Sequence, residues 1–306
     1  MYDVLIVGGG PGGLAAGIYA GRGRLKTAIL EKGVLGGQAA TTMEMENYPG
    51  FFEEATGPGV MGQFLAHAKH FGVEIIKGTA TGFELNDKIK KVTTQTGESY
   101  MARSVILAPG AVPRSLGIPG EERLRGKGVS YCATCDADFF EELDIIVVGN
   151  GDAAIEEAMY LTKFAESVTV IVIHEQGVLD CNKKSAERAQ QNKKIKWVWN
   201  STLEEIIGDE LVEAAVIKNV KTGELSTMDI NGVFFFVGTI PKTDFLSGIV
   251  NLDKSGYILT NDKMETNIPG VYAIGDARAK YLRQVITAAA DGAIAAVAAE
   301  RYLEEH

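Results

Sequence analysis

The sequence has 306 residues, and 46% of them are hydrophobic, which is enough to bury two modest cores. Its formal net charge of −10 argues against a nucleic-acid partner, because nothing in the sequence suggests the basic stripe that a phosphate backbone requires. Apolar runs fall short of the roughly 18 residues of a membrane span. Strand-like residues begin at Tyr2, so we expect a cytoplasmic protein without a targeting segment.

The first chemical signal is a glycine turn between a predicted strand and a predicted helix. Residues 3–7 are apolar, residues 8–13 read GGGPGG, and residues 14–20 have the small-residue pattern of a helix. This arrangement brings a helix N-terminus to the phosphates of a dinucleotide. The stretch therefore predicts a nucleotide-binding turn.

Four residues are the candidates for this site. Gly8 and Gly10 allow a tight turn and a close approach of the backbone to a pyrophosphate, and Gly13 lets the helix lie on the sheet. A second predicted strand at residues 27–30 ends at Glu31, which lies 23 residues after Gly8. An acid at this distance is placed to bind ribose hydroxyls, so the combination is more specific than the glycines alone.

The following segments predict the remainder of a flavin-binding half. Residues 36–38 (GGQ) and 46–51 (ENYPGF) are loops whose polar side chains are able to reach a ring system. Residues 79–102 contain short alternating segments with turns, which predict a small β-meander. Residues 104–108 then predict a buried strand. A parallel sheet with an inserted meander is usual for a flavin-binding half.

Two linkers, at residues 111–114 and 239–242, indicate that a second domain interrupts the first. We predict an α/β protein of two Rossmann-like, three-layer nucleotide-binding domains. Residues 1–112 and 243–306 would form the flavin-binding domain, and residues 113–242 the inserted one. The inserted domain repeats a strand, a GxGxxA turn, a helix and a strand at residues 145–148, 149–154, 155–164 and 168–173.

The inserted domain also carries two cysteines separated by two residues. Cys132 and Cys135 are spaced to close a small disulfide ring, and to cycle between dithiol and disulfide. A zinc site would need further ligands, and the sequence offers only Cys181 and four scattered histidines, so no metal is predicted. A purely structural disulfide is disfavoured, because the chain is too large to need a staple. We interpret the pair as redox-active and Cys181 as incidental.

The last candidate region follows the returning linker. Residues 267–276 end in Gly275 and Asp276, and residues 282–285 open a long alanine-rich helix that continues to Tyr302. We interpret the alanines as core residues. Asp276 follows an apolar strand and a glycine, so we interpret it as a carboxylate that faces a ligand.

Together these motifs are similar, across essentially the whole chain, to those of the low-molecular-weight thioredoxin reductase family. The motifs are GGGPGG, GGQ, ENYPGF, CATCD, GNGDAAIEEA, GD and RQVITAAADGA. The resemblance implies a homodimer that binds FAD and reduces thioredoxin. It implies FAD contacts from Gly8, Gly10, Gly13, Glu31, Gln38, Asn47, Asp276, Arg283 and Gln284.

The resemblance also implies a division of roles within CATCD. Cys135 would be the sulfur nearest the flavin, Cys132 would attack the disulfide of the protein partner, and Asp136 would be the acid that protonates the leaving sulfur. Phe139 and Phe140 match an aromatic pair that family members offer to thioredoxin, although adjacent phenylalanines are as readily core residues.

One departure from the family pattern concerns the electron donor. Members that use NADPH carry His-Arg-Arg, and another arginine shortly afterwards, at the end of the strand that follows the second glycine turn. Counted without gaps, this chain has residues 172–174 (VIH) there and Val178 in place of the later arginine. Val172 also lies 23 residues after Gly149, where an NADH site would place an acid. Glu175 is close enough to keep that alternative open.

The net charge of the inserted domain also argues against NADPH as the donor. Residues 113–241 contain 13 Lys and Arg against 21 Asp and Glu, a formal charge of −8 that is unfavourable for a polyanionic cofactor. These features resemble the ferredoxin-dependent flavin thioredoxin reductase branch, so we predict ferredoxin and not NADPH as the donor. The basic run at residues 183–196 is a candidate docking patch for an acidic ferredoxin, although a solvated helix face is the simpler explanation.

Three alternatives stay open at this point. The first is an NAD(P)H-dependent thioredoxin reductase with a degenerate nicotinamide site. The second is a small-molecule dithiol oxidase, a related kind of flavoprotein that sends electrons towards oxygen. The third is a non-catalytic redox-sensing or binding module, for which an intact CATCD motif is unexpected.

Overall fold

The computed structural model describes residues 1–41, 45, 47–51 and 55–306. Over this part of the chain it divides into two compact units, residues 1–112 with 240–306 and residues 113–239. Each unit is built on its own mainly parallel sheet. The predicted α/β class, with one Rossmann-like unit inserted in the other, is confirmed. No helix among the described residues is long and apolar enough to cross a membrane.

Strands and helices are numbered in chain order. The strands are β1 (Tyr2–Val7), β2 (Thr27–Glu31), β3 (Glu74–Lys77), β4 (Ala80–Glu84), β5 (Lys90–Thr94), β6 (Ser99–Leu107), β7 (Ala111–Pro113), β8 (Val129–Ser130), β9 (Asp144–Val148), β10 (Ser167–Ile171), β11 (Ile195–Val198), β12 (Ser201–Ile207), β13 (Ala214–Asn219), β14 (Leu225–Asp229), β15 (Gly232–Phe235), β16 (Thr239–Pro241) and β17 (Val271–Ala273). The helices are α1 (Pro11–Arg22), α2 (Gly57–His70), α3 (Ala133–Asp136), α4 (Asp152–Leu161), α5 (Lys183–Gln191) and α6 (Val285–Glu305). Short 3-10 turns lie at Gly37–Thr41, Ala137–Phe140, Asp244–Leu246 and Gly275–Ala277.

The sheet of the first unit has the order β3-β2-β1-β6-β5-β4, with β17 beside β6. Strands β1, β2, β3, β6 and β17 pair in parallel, whereas β4 and β5 are antiparallel to their neighbours. Val4 and Ile6 pack with α1 and α6, while Leu5 and Val7 pack into the cluster on the other face. Burial on both faces explains why β1 is apolar throughout.

Strand β6 differs from the sequence prediction. A meander ending at residue 102 and a separate strand at residues 104–108 were predicted, but the structure joins them into one nine-residue strand. Residues 99–102 pair with β5, and residues 105–107 pair with β17. The first half alternates because one face is exposed, and the second half is apolar because both faces are buried. The change of hydrophobic pattern within β6 explains why the sequence predicted two separate strands.

Helices α1 and α6 pack closely because small residues line their contact. A Cβ added at Gly292 would stand 2.3 Å from the carbonyl oxygen of Gly12, and one added at Gly12 would stand 3.1 Å from that of Ala288. Ala295 and Ala299 of α6 are buried in the same cluster. The interpretation of these alanines as core residues is confirmed.

The inserted unit has a five-stranded parallel sheet in the order β11-β10-β9-β15-β8 and a separate antiparallel sheet of β12, β13 and β14. Alternate residues of β9 pack with α4 on one face and with β12 and β13 on the other. Helix α4 begins three residues earlier than predicted, because Gly151 acts as its N-cap in an extended conformation. The glycine turn therefore leads directly into the helix.

Candidate functional site

The dithiol segment directly follows strand β8. Cys132 and Cys135 are joined as a disulfide, with their Cα atoms 5.3 Å apart. Cys132 is the N-cap of α3, and Cys135 lies within that helix. The Cys132 Sγ atom is 3.5 Å from the Thr134 hydroxyl. Both sulfur-bearing residues are partly exposed. The structure thus brings the two predicted redox cysteines together at an accessible position.

Asp136, the predicted acid, is the last residue of α3. Burial raises the pKa of its carboxyl group, and a hydrogen bond from Ser130 opposes that rise. The Ser130 hydroxyl donates to Asp136 Oδ2 over 2.6 Å. A carboxyl group with a raised pKa retains its proton closer to neutral pH, as a general acid requires.

Sequence reasoning missed a buried acid that supports this segment. Glu121 is 1% exposed, and its carboxylate accepts hydrogen bonds from the Tyr131 hydroxyl at 2.6 Å and the Gly117 N–H at 2.7 Å. The Tyr131 ring stacks on Phe235 with centroids 5.5 Å apart. Glu121 therefore fixes the residue that precedes Cys132. No sequence pattern marks it, since an acid after Pro-Gly looks like a surface turn.

The first glycine turn has the shape that the sequence predicts. Gly8 has a φ of +113°, and a Cβ there would stand 2.1 Å from the carbonyl oxygen of Ala108. Gly13 packs against the backbone of Gly8, whereas no residue that the structure describes, apart from its chain neighbours, comes within 4 Å of a Cβ added at Gly10. Glu31 lies at this turn, where its carboxylate accepts the N–H of Gly9 at 2.6 Å. These four predicted residues are therefore close together.

Two further predicted residues meet across a long stretch of sequence. The Asn47 Nδ2 group donates to Gln284 Oε1 over 3.1 Å. Gln284 is the N-cap of α6, where its side chain accepts a hydrogen bond from the backbone of the first turn. Gln38 is exposed and lies in the 3-10 turn Gly37–Thr41, which comes after β2. Glu46, which belongs with Asn47 to the predicted ENYPGF loop, lies outside the described residues.

Asp276 has the clearest signature of a ligand-binding group. Its Oδ1 atom is buried and has no hydrogen-bond partner among the described residues. Burial raises the pKa of this carboxyl group, while Lys280 and Arg283 oppose the rise. Arg283 donates to the Asp276 carbonyl oxygen at 3.2 Å, and its guanidinium lies 4.0 Å from the centre of the Tyr257 ring. A buried oxygen of this kind needs a donor.

The second glycine turn is contacted by a segment of its own unit. The Asn150 side chain donates to Asp180 Oδ2 at 3.1 Å, and His174 Nε2 lies 3.0 Å from the same oxygen. The Asp180 N–H donates to the Asn150 carbonyl oxygen at 3.0 Å. The Asp152 carboxylate accepts the Asn182 N–H at 2.7 Å. Residues 180–182 therefore lie directly on the turn.

The residues after β10 include one acid that the sequence analysis did not single out. Counting without gaps placed Val178 where the later arginine of NADPH-dependent relatives is expected, but the residue that returns to the turn is Asp180. Val178 is about half exposed. Glu175, the acid considered for an NADH site, instead forms an exposed ion pair with Lys221 at 2.7 Å. Counting along the strand did not single out Asp180.

The remaining predicted residues have mixed surroundings. Phe139 is 49% exposed, whereas Phe140 is buried and packs edge-on against Phe234. Only Phe139 is thus displayed at the surface. Cys181 is partly buried, and burial raises the pKa of its thiol. In the basic run, Lys194 donates to the Ala165 carbonyl oxygen, so part of that run supports the fold. No group of three potential metal ligands occurs in the described residues.

Comparison with known proteins identifies the family. A family model described as pyridine nucleotide-disulphide oxidoreductase matches residues 2–292. The chain belongs to this family. It is 50% identical to a thioredoxin reductase of Peptoclostridium acidaminophilum, over 99% of this chain and 98% of that protein. It is 42% identical to a thioredoxin reductase of Bacillus subtilis, over 100% of this chain and 96% of that protein.

A solved structure agrees with this assignment. The crystal structure of thioredoxin reductase from Streptococcus pyogenes is 44% identical, with a TM-score of 0.92, over 100% of this chain and 99% of that one. The predicted class of FAD-dependent disulfide oxidoreductase is therefore confirmed. The residues present fit FAD, since the buried Asp276 Oδ1 atom needs a donor and the described part of the chain leaves the space beside Gly10 open to a pyrophosphate. The individual FAD contacts stay predictions.

Proposed function

We propose that this disulfide oxidoreductase reduces thioredoxin through the Cys132–Cys135 pair, and that reduced ferredoxin, not NADPH, supplies the electrons. The thioredoxin half is supported by relatives at 50% and 42% identity that are thioredoxin reductases. The ferredoxin half is supported by one observation: the Asp180 carboxylate lies on the second glycine turn. A homodimer stays a prediction from the family resemblance.

The Asp180 carboxylate opposes nucleotide binding in two ways. Its pKa is lowered, chiefly by the hydrogen bond from His174, so it is ionised at neutral pH. A pyrophosphate at this turn would therefore meet a negative charge. Asp180 also takes up the Asn150 side-chain donor and the Asn150 carbonyl group at the turn. Helix α4 also carries an acid, Asp152, in its first turn, whereas α1, the helix after the first glycine turn, has no acid there.

The cysteines carry the exchange chemistry in this proposal. When bound, FAD accepts electrons singly and supplies them in pairs. Two electrons and two protons convert the Cys132–Cys135 disulfide to a dithiol. The Cys132 thiolate then attacks the disulfide of thioredoxin to form a mixed disulfide, and Cys135 attacks Cys132 to release the reduced partner. Asp136 supplies a proton to the departing sulfur.

The test follows the visible absorbance of FAD in the holoenzyme under anaerobic conditions. Separate samples receive NADPH, NADH and photoreduced ferredoxin. The proposal expects bleaching by ferredoxin alone and recovery of the absorbance when oxidised thioredoxin is added. Rapid bleaching by NADPH or NADH would instead identify a nicotinamide-dependent reductase and reject the ferredoxin half.

The same experiment also tests whether thioredoxin is the substrate that receives the electrons. Recovery with thioredoxin, and none in a Cys132→Ser holoenzyme, would support the proposed route. Bleaching by a small dithiol, followed by release of peroxide when air is admitted, would favour a dithiol oxidase. A flavin that responds to no disulfide would reject an enzymatic role for the pair.

A further inference from the structure

We infer that Ser130 is a positioning residue for disulfide exchange, because its hydroxyl ties the Asp136 carboxyl group to the backbone of Cys132. The inference rests on the exchange chemistry proposed above. It adds a residue outside the CATCD motif to the apparatus of the dithiol.

The position of Ser130 is well fixed. It is the last residue of β8 and is 4% exposed, and this strand pairs in parallel with β15 through Phe234. Its hydroxyl oxygen accepts the Cys132 N–H at 3.1 Å. The hydroxyl proton is thus directed to Asp136 Oδ2 at 2.6 Å, which is closer than the Cys132 carbonyl oxygen at 3.3 Å. One buried hydroxyl joins the acid and the cysteine backbone.

The bridge acts on the protonation of Asp136. Burial favours the neutral carboxyl group, and the Ser130 hydrogen bond favours the carboxylate. Other charged groups on the elements around α3 are acids, namely Asp138, Asp152, Glu156 and Glu157. The Ser130 hydroxyl therefore helps the Asp136 carboxyl group to release its proton. Cys132 and Cys135 do not titrate while they are joined as a disulfide.

The step that Ser130 assists is the opening of the disulfide. A dithiol such as dithiothreitol attacks Cys132 Sγ as a thiolate, the bond between the two sulfurs breaks, and Cys135 departs as a thiolate. Asp136 gives its proton to Cys135 Sγ and becomes a carboxylate. The Ser130 hydroxyl stabilises that carboxylate. The second thiol of the reagent then closes to release a free Cys132 and oxidised dithiothreitol.

The test measures how fast dithiothreitol opens the disulfide in the holoenzyme as a function of pH. Samples are quenched with acid and alkylated, and mass spectrometry then measures how many thiols have been freed. In Ser130→Ala the Asp136 pKa should rise, so the pH at which the acid contribution disappears should move up by about one pH unit. Ser130→Thr keeps the hydroxyl and should restore the original profile.

Two controls separate positioning from general stability. Ser167 also hydrogen-bonds an aspartate, Asp144, in the same unit but at the start of β10, so Ser167→Ala should keep the original profile. In an Asp136→Asn background, Ser130→Ala should cause no further shift. An unchanged profile in Ser130→Ala, or an equal shift in the Asp136→Asn background, would overturn the inference. Thioredoxin and ferredoxin are absent from this assay, so an error in either proposed partner would not affect it.

Discussion

At the scale of single residues, Cys132 and Cys135 should both be essential for activity, whereas Cys181 should not. Cys132→Ser and Cys135→Ser should each abolish reduction of thioredoxin while leaving FAD bound, because each removes one of the two sulfurs that cycle. The flavin spectrum and a thioredoxin-reduction assay measure the two properties. Cys181→Ser is the matched control and should retain activity, since Cys181 is a free thiol. Full activity in either dithiol variant would rule out the mechanism.

Asp180 gives a prediction about specificity. Asp180→Arg replaces a carboxylate beside Asn150 by a guanidinium, and we expect NADPH to bind at least about tenfold more tightly as a result. Calorimetry with NADPH measures the change. Asp229→Arg makes the same charge change on exposed β14 of the same unit and should leave affinity unaltered. Equal affinities in both variants would show that Asp180 does not exclude the nucleotide.

Glu121 gives a prediction about pH and stability. Its pKa is lowered: burial alone would raise it, but the hydrogen bonds from Tyr131 and the backbone outweigh burial. The carboxylate therefore stabilises the fold above the ordinary glutamate pKa of about 4.3, and this contribution is lost as the pH falls through the folded value. Glu121→Ala should lose about 3 kcal/mol of unfolding free energy at pH 7.

Urea unfolding at pH 7 and at pH 4 measures that difference. The gap between Glu121→Ala and the unaltered chain should shrink at the lower pH, because protonation weakens the same contacts. Glu121→Gln keeps an acceptor for Tyr131, so it should lose less and should show little dependence on pH. A gap that is constant with pH would mean that the charge of Glu121 is irrelevant.

The residue scale also shows where sequence reasoning stops. Spacing predicts Cys132, Cys135 and Glu31, because their chemistry depends on neighbours close in sequence. Ser130 and Glu121 carry no such signal, since what matters is that the fold buries them beside Asp136 and Tyr131. Their roles depend on tertiary contacts that a periodicity does not encode.

At the scale of elements, the contact of α1 with α6 depends on Gly292. Gly292→Ala should destabilise the chain by about 1–3 kcal/mol, because the added methyl group would stand 2.3 Å from the Gly12 carbonyl oxygen. Gly62→Ala is the matched control in α2, where, among the described residues, nothing beyond the local helix backbone lies within 4 Å of the new Cβ. It should be neutral or stabilising by up to about 1 kcal/mol. Chemical unfolding distinguishes the two, and equal effects would contradict the packing argument.

Element boundaries were harder to predict than element types. The strands and glycine turns of both units follow from local patterns, yet β6 was divided in two because its halves have different partners, β5 and β17. Likewise, the return of residues 180–182 to the second glycine turn depends on the path of a loop. Pairing partners far apart in sequence decide both features.

At the scale of the whole molecule, the predicted FAD contacts all belong to one of the two units. Removal of FAD should therefore lower the stability of the unit formed by residues 1–112 and 240–306, and leave that of residues 113–239 unchanged. At a hundredfold excess of FAD over its dissociation constant the effect is about 3 kcal/mol, or roughly 5–10 °C in a unit of this size. Calorimetry of apoprotein and holoprotein measures it, and an equal shift of both transitions would contradict the assignment.

The hydrogen bond between Asn47 and Gln284 has a consequence for biosynthesis. The two residues are 237 positions apart, and the whole inserted unit lies between them in the chain. A ribosome delivers the glycine turn and Glu31 early, but Asp276 and the N-cap of α6 only near the end of translation. The nascent chain can complete the inserted unit first. The predicted FAD contacts from Asp276 and Gln284 imply that tight capture of the cofactor waits until the final helix has emerged.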